Sequence, residues 1–169
     1  APRHPERFAD VARLLREFRD DEACEFKRYR TARRSDAPRE ADAEADIILL
    51  DSIGELRALY QLTTIAFVGG SLIPHGGQSV LEPAAAGNAI ITGPHTFNFI
   101  DVMRVFLENN AVIQLPEQTN EAIPDDLFMH ISDLLEEPGE RAELACNAQA
   151  VMEADRKSTR LNSSHANIS

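Results

Sequence analysis

Ile65-Ala66-Phe67-Val68-Gly69-Gly70-Ser71 is the stretch that decides the fold. Four apolar residues, too few for a helix, run into two glycines and a serine, which predicts a short buried strand and a turn at its C-terminal end. The pattern recurs on either side. Ile47-Ile48-Leu49-Leu50, predicted to be buried on both faces, stops at Asp51-Ser52-Ile53-Gly54, and Ala89-Ile90-Ile91 runs into a polar loop over 93–98. A fourth strand is predicted over 111–115 and a short one near 26–30. Phe8, Val11, Leu14, Leu15 and Phe18 fall at helical spacing, giving an amphipathic helix over 5–19 behind Pro5. Further helices are predicted over 54–62, 79–86, 99–109, 121–136 and 139–153. Short buried strands alternating with helices give an α/β fold, a doubly wound parallel sheet with right-handed crossovers.

The 169 residues carry 17 Lys and Arg against 28 Asp and Glu, a formal net charge of −11. That length suits one domain with a real core and is too short for a large two-domain enzyme. The acidic balance excludes a nucleic-acid binder, which needs a basic face. Cys24 and Cys146 form neither a disulfide framework nor a metal-ligand spacing. No apolar run reaches membrane-spanning length. The charge is unevenly spread: residues 1–46 are net −1, residues 47–155 net −13, and residues 156–169 net +3. An anion site must therefore use the arginines near the N-terminus or backbone N–H groups.

The two ends read differently from the middle. The chain enters abruptly on Ala1-Pro2-Arg3-His4-Pro5, without a signal peptide, as if its first strand lay before residue 1. Residues 1–155 form the expected domain. Residues 156–169 lose apolar periodicity, change composition, and are expected to be a disordered tail foreign to the rest.

In a doubly wound sheet, ligands bind beyond the C-terminal ends of the strands. Residues 2–7, 51–55, 69–82 and 93–98 all fall there, and their coincidence on one rim is the main functional signal. The glycines of 69–77 let backbone approach a ligand, and Ser79 is placed to cap the next helix, whose free N–H groups suit a phosphate. They suit plain tight turns equally. The spacing fits neither a Walker loop nor a GxGxxG fingerprint. Glu82, about one helical turn on, could hold a ribose diol; a solvated helix-face glutamate is the plainer reading. Arg3, His4 and Arg7 offer charge-assisted bonds to a phosphate or carboxylate. His95, Thr96 and Asn98 form a polar cluster that a capped turn explains as well.

Taken in order, Ala1-Pro2-Arg3-His4-Pro5-Glu6-Arg7-Phe8, Arg33-Arg34-Ser35, Asp51-Ser52-Ile53-Gly54-Glu55-Leu56, Ala66-Phe67-Val68-Gly69-Gly70-Ser71-Leu72, Leu81-Glu82-Pro83-Ala84-Ala85 and Gly93-Pro94-His95-Thr96-Phe97-Asn98-Phe99 resemble one family. They are similar to the donor half of the 3-deoxy-D-manno-octulosonic acid (Kdo) transferases, over about residues 1–155. The resemblance implies a Rossmann-like C-terminal half of a GT-B glycosyltransferase of lipopolysaccharide assembly. It implies a CMP-Kdo donor, a lipid A precursor as acceptor, an inverting reaction without metal or cofactor, and a place at the cytoplasmic face of a Gram-negative inner membrane. CMP contacts would fall on Pro2 and Arg3, on Ile53, Gly54 and Glu55, and on Ser79, Val80, Leu81 and Glu82. The family's catalytic base, acceptor site and membrane contact would lie in an N-terminal half outside these residues, so the chain alone is expected to be inactive and soluble. Where the family reads His-Asn-Pro-Leu-Glu, this chain has Gln78-Ser79-Val80-Leu81-Glu82. Serine keeps a capping side chain, whereas the lost proline loosens the helix start.

Two other readings share part of the pattern. A UDP-sugar epimerase-like GT-B domain would have the glycine loop and the glutamate, but not the first and last of these strings. A non-catalytic nucleotide-binding module would need none of the missing half.

Overall fold

Every residue of the strand Ala89–Thr92 is buried, because two layers of helices cover it from opposite sides. It is the middle of a three-stranded sheet in the computed structural model, which describes residues 1–20, 29–119 and 121–165. The chain divides into two units, Ala1–Ala58 and Leu59–Ser169.

In the second unit, β3 (Ile65–Val68), β4 (Ala89–Thr92) and β5 (Ile113–Gln114) pair in parallel in the order β3-β4-β5. The register sets Ile65 opposite Ala89, Val68 opposite Thr92 and Ile91 opposite Ile113. Side chains alternate across a strand, so β4 sends Ile90 to one face and Ala89 and Ile91 to the other. Ile90 packs with Val68, Val80, Ala84, Met103, Phe106 and Ala148. Ala89 and Ile91 pack with Leu115, Leu134 and Leu144. The covering helices are α3 (Leu81–Ala86) and α4 (Ile100–Glu108) on one side and α5 (Ile123–Glu136) on the other, while α6 (Pro138–His165) contributes to both. Such two-sided burial is what the continuous apolar runs imply. The doubly wound parallel fold is therefore as the sequence indicates.

The first unit begins with a 3-10 turn, Pro5–Arg7, and α1 (Phe8–Asp20). Its strands β1 (Thr31–Arg33) and β2 (Ile47–Leu49) pair in parallel, with Thr31 opposite Ile47 and Arg33 opposite Leu49. A four-residue helix, α2 (Leu56–Leu59), starts beyond the rim.

The expectation over 47–50 is corrected. The run is not buried on both faces: Leu49 and Leu50 are buried, but Ile48 is 61% exposed. The short strand near 26–30 falls mostly outside the described residues, and the observed strand starts at Thr31. Over residues 156–165, within the stretch expected to be a disordered tail, the helix α6 continues. No Gly or Pro follows Gly139, so the backbone has nothing to stop it there. No described helix is long and apolar enough to cross a membrane.

Candidate functional site

The polar loops lie where the topology puts them, just past the C-terminal ends of parallel strands. In the first unit, β1 and β2 end side by side, so Arg33 and Ser35 meet Asp51. The Asp51 carboxylate is buried and takes four hydrogen bonds. Arg33 donates from Nε at 2.8 Å and from Nη2 at 2.6 Å. Ser35 donates its amide at 2.9 Å and its hydroxyl at 2.7 Å. Burial alone would raise the Asp51 pKa; the Ser35 hydroxyl and amide and the Arg33 guanidinium together override it and bring it down to about 2. Asp51 thereby anchors the loop that continues through Ser52, Ile53, Gly54 and Glu55.

Along that loop, Ile53 is 79% exposed. Gly54 has φ +88°, a left-handed conformation that a side chain would strain. Glu55 accepts from Arg34 Nε at 2.8 Å. The Ser52 hydroxyl beside it and that guanidinium hold the Glu55 carboxyl below its ordinary pKa. Pro2 is half-buried and Arg3 exposed, ahead of the Pro5 turn, and Arg3 has no hydrogen bond or ion pair among the described residues.

In the second unit, Ser71 ties the two loop segments together. Its hydroxyl donates to the Val68 carbonyl at 2.7 Å and accepts from the Gly93 amide at 2.8 Å. Its carbonyl accepts from the His95 amide at 3.0 Å. The Gly77 amide reaches the Gly70 carbonyl at 2.9 Å, and the Asn98 amide the Gly76 carbonyl at 3.2 Å. Gln114, at the end of β5, pins the next loop by donating to Thr96 Oγ1 at 2.9 Å and to the Pro94 carbonyl at 3.3 Å.

The segment 79–82 divides by role. Ser79 sits one residue outside the N-cap position, which Val80 occupies, and its hydroxyl accepts from the Leu81 amide at 3.3 Å. Val80 is fully buried in the core and Leu81 packs against it, so only their backbone can meet a ligand. Glu82 alone presents an exposed functional side chain, on the first turn of α3.

Tyr60 lies in the 3-10 turn Tyr60–Leu62, which packs against α3. The buried Asn88 amide fixes that turn, donating to the carbonyls of Tyr60 at 3.0 Å and Thr63 at 2.5 Å. Burial, and then the Glu82 carboxylate, raise the Tyr60 phenol pKa above its ordinary value. Replacing Glu82 by Gln should therefore lower the alkaline midpoint of Tyr60. Tyrosinate absorbance reads it in a Tyr29→Phe background, since the chain has two tyrosines. An unmoved midpoint would separate the two side chains.

The first unit thus collects Ile53, Gly54 and Glu55 on an anchored loop, with Pro2 and Arg3 ahead of its first helix. The second collects Ser79, Val80, Leu81 and Glu82 beside the Ser71 clamp. Sequence reasoning did not find the roles of Asp51, Ser71, Asn88 or Gln114. A usable signal existed for Asp51: Arg33-Arg34-Ser35 and Asp51 both stand at the C-terminal ends of strands, and adjacent parallel strands bring such positions together.

No family model matches the chain. Over 114 residues it is 45% identical to the 3-deoxy-D-manno-octulosonic acid transferase of Haemophilus influenzae, covering 68% of this chain and 24% of that protein. The same enzyme of Bordetella pertussis is 37% identical over 116 residues, 69% of this chain and 25% of that one. A probable mitochondrial relative from Arabidopsis thaliana is 33% identical over 138 residues, 80% and 29% respectively. The crystal structure of the C-terminal CMP-Kdo binding domain of WaaA from Acinetobacter baumannii matches with a TM-score of 0.71 at 32% identity, covering 90% of this chain and 71% of that one. The chain spans about a quarter of the length of the curated bacterial relatives it matches. By fold, by these identities and by its likeness to that C-terminal domain, the chain belongs to the 3-deoxy-D-manno-octulosonic acid transferase family.

Proposed function

We propose that this chain binds CMP-Kdo and serves as the donor half of an enzyme that transfers Kdo to a lipid A precursor. The observation that carries the reading is the 32% identity and TM-score of 0.71 to a CMP-Kdo binding domain. The chemistry of the loops supports it. Exposed and unpaired among the described residues, Arg3 can meet the phosphate. The backbone N–H groups of Ser79 and Val80 add neutral donors where the chain is otherwise acidic. Glu82 accepts from the two ribose hydroxyls, and Ile53, Gly54 and Glu55 border the nucleotide.

In the transfer, an acceptor hydroxyl attacks the anomeric carbon of Kdo while the bond to the CMP oxygen breaks. The electron pair leaves with CMP, and the hydroxyl proton passes to a base outside these residues. The configuration inverts in that single displacement. The donor half contributes by stabilising the departing phosphate with preorganised charge and N–H groups, without a metal. The chain alone then binds donor without turnover, and the whole enzyme works on an inner-membrane substrate from the cytoplasmic side.

Calorimetric titration of the chain tests this. CMP should bind more tightly than UDP. Glu82→Gln should weaken CMP by about tenfold, the loss of one charge-assisted pair of bonds, and should barely change 2′-deoxy-CMP. Tighter UDP binding, or a Glu82 variant as strong as wild type, overturns the proposal.

A further inference from the structure

Arg33 and Arg34 are consecutive, yet the structure uses them differently. Arg33 directs Nε and Nη2 at the buried Asp51 carboxylate and is committed to the fold. Arg34 is half exposed and touches Glu55 through Nε alone, at 2.8 Å. Both its Nη groups, with four N–H bonds in one plane, have no partner among the described residues. With Nε engaged, the guanidinium keeps its Nη1/Nη2 fork for a ligand, the edge that matches two oxygens of a phosphate or carboxylate.

We infer that Arg34 is an anion-binding residue of the donor site, with Glu55 as the residue that positions it. The inference rests on the donor-binding reading and deepens it. A free arginine loses side-chain freedom when it captures an anion, whereas the Glu55 contact has already restricted this one. The placement is also specific. Arg34 follows β1 directly, its amide bonds the Leu49 carbonyl of β2 at 2.9 Å, and Glu55 lies on the loop that Asp51 anchors. Backbone and side chain are thus both fixed before any ligand arrives. Arg57, by contrast, is an exposed helix arginine without such a tether. Two anions of the donor carry the matching chemistry: the nucleotide phosphate and the carboxylate of the sugar acid.

Titrating the 169-residue chain with cytidine, CMP and CMP-Kdo tests the inference. Arg34→Ala should weaken CMP-Kdo by about tenfold or more and leave cytidine within about twofold. Arg34→Lys should recover part of the loss, because it restores charge but not the fork. An equal loss with CMP assigns the phosphate; a loss confined to CMP-Kdo assigns the sugar carboxylate. Unchanged affinity for both nucleotides in Arg34→Ala overturns the inference, and so does an equal loss for cytidine, which would mark a structural role. A wild-type chain that binds neither nucleotide instead overturns the donor-binding reading itself.

Discussion

Gly93→Ala should cost the second unit roughly 3 kcal/mol and lower its melting temperature by about 10 °C, whereas Gly69→Ala should change it by no more than about 0.5 kcal/mol. The two glycines sit on the same rim, and neither has a left-handed backbone. They differ in what a methyl group would meet. At Gly69 nothing lies within 4 Å of an added Cβ. At Gly93 the added atom would run into the Ser71 carbonyl oxygen, with the carbonyl carbon at 2.6 Å and the Leu72 nitrogen at 2.8 Å. All three are backbone atoms, so no rotamer change clears the space. The loop after β3 would have to retreat, and retreat breaks the Gly93 bond to the Ser71 hydroxyl and the His95 bond to the Ser71 carbonyl. Each is worth about 1 kcal/mol, added to an overpacking penalty of about 1–3 kcal/mol. Denaturant midpoints of the two variants decide it: equal midpoints would mean that the loops are not clamped as described.

The same pair of glycines shows how far the sequence could be read. Both stand after an apolar run, and both are legible as strand ends. Which one is wedged against another loop depends on a contact 22 residues away, through the Ser71 hydroxyl. Strands β3 and β4 were legible because continuous apolar runs report burial on two faces. Strand β1 was not, because Thr31-Ala32-Arg33 has no such run and its one charge, Arg33, belongs to the rim rather than the core. Over 111–115 the expected strand shrinks to Ile113–Gln114, although Ala111, Val112 and Leu115 are buried. Burial and ladder bonding are separate properties, and an apolar pattern reports the first. At the site, Glu82 could be singled out as an exposed acid one turn beyond the glycine loop. That Val80 turns its side chain into the core could not, since a valine at a helix start suits either direction.

Charge is where sequence reading failed most, and Asp51 makes the failure measurable. Among 28 acidic residues it has no local mark, because Arg33 and Ser35 lie 18 and 16 positions earlier. Its carboxylate titrates at about 2 instead of 3.8. A depressed carboxylate pKa adds stability that is complete above the unfolded value and is lost as pH falls through the folded one. The first unit should therefore lose roughly 2 kcal/mol between about pH 4 and pH 2 on account of this group. Asp51→Ala should lose a similar or larger amount, about 2–3 kcal/mol, already at neutral pH, and its acid profile should be flatter than that of wild type. Asp51→Asn fills the same volume, but its carboxamide turns an N–H₂ group toward donors that need acceptors, so it should rescue little. The Ser35 amide, which donates to Asp51 at 2.9 Å, is the local probe. Its hydrogen exchange should accelerate in both variants, and in wild type as the pH falls into that window once the intrinsic rate is divided out. Matching profiles in wild type and Asp51→Ala would remove the buried carboxylate from the stability of the unit. They would also remove the reason given for the fixed position of Gly54 and Glu55, because the loop those residues occupy has no other buried anchor of comparable strength among the described residues.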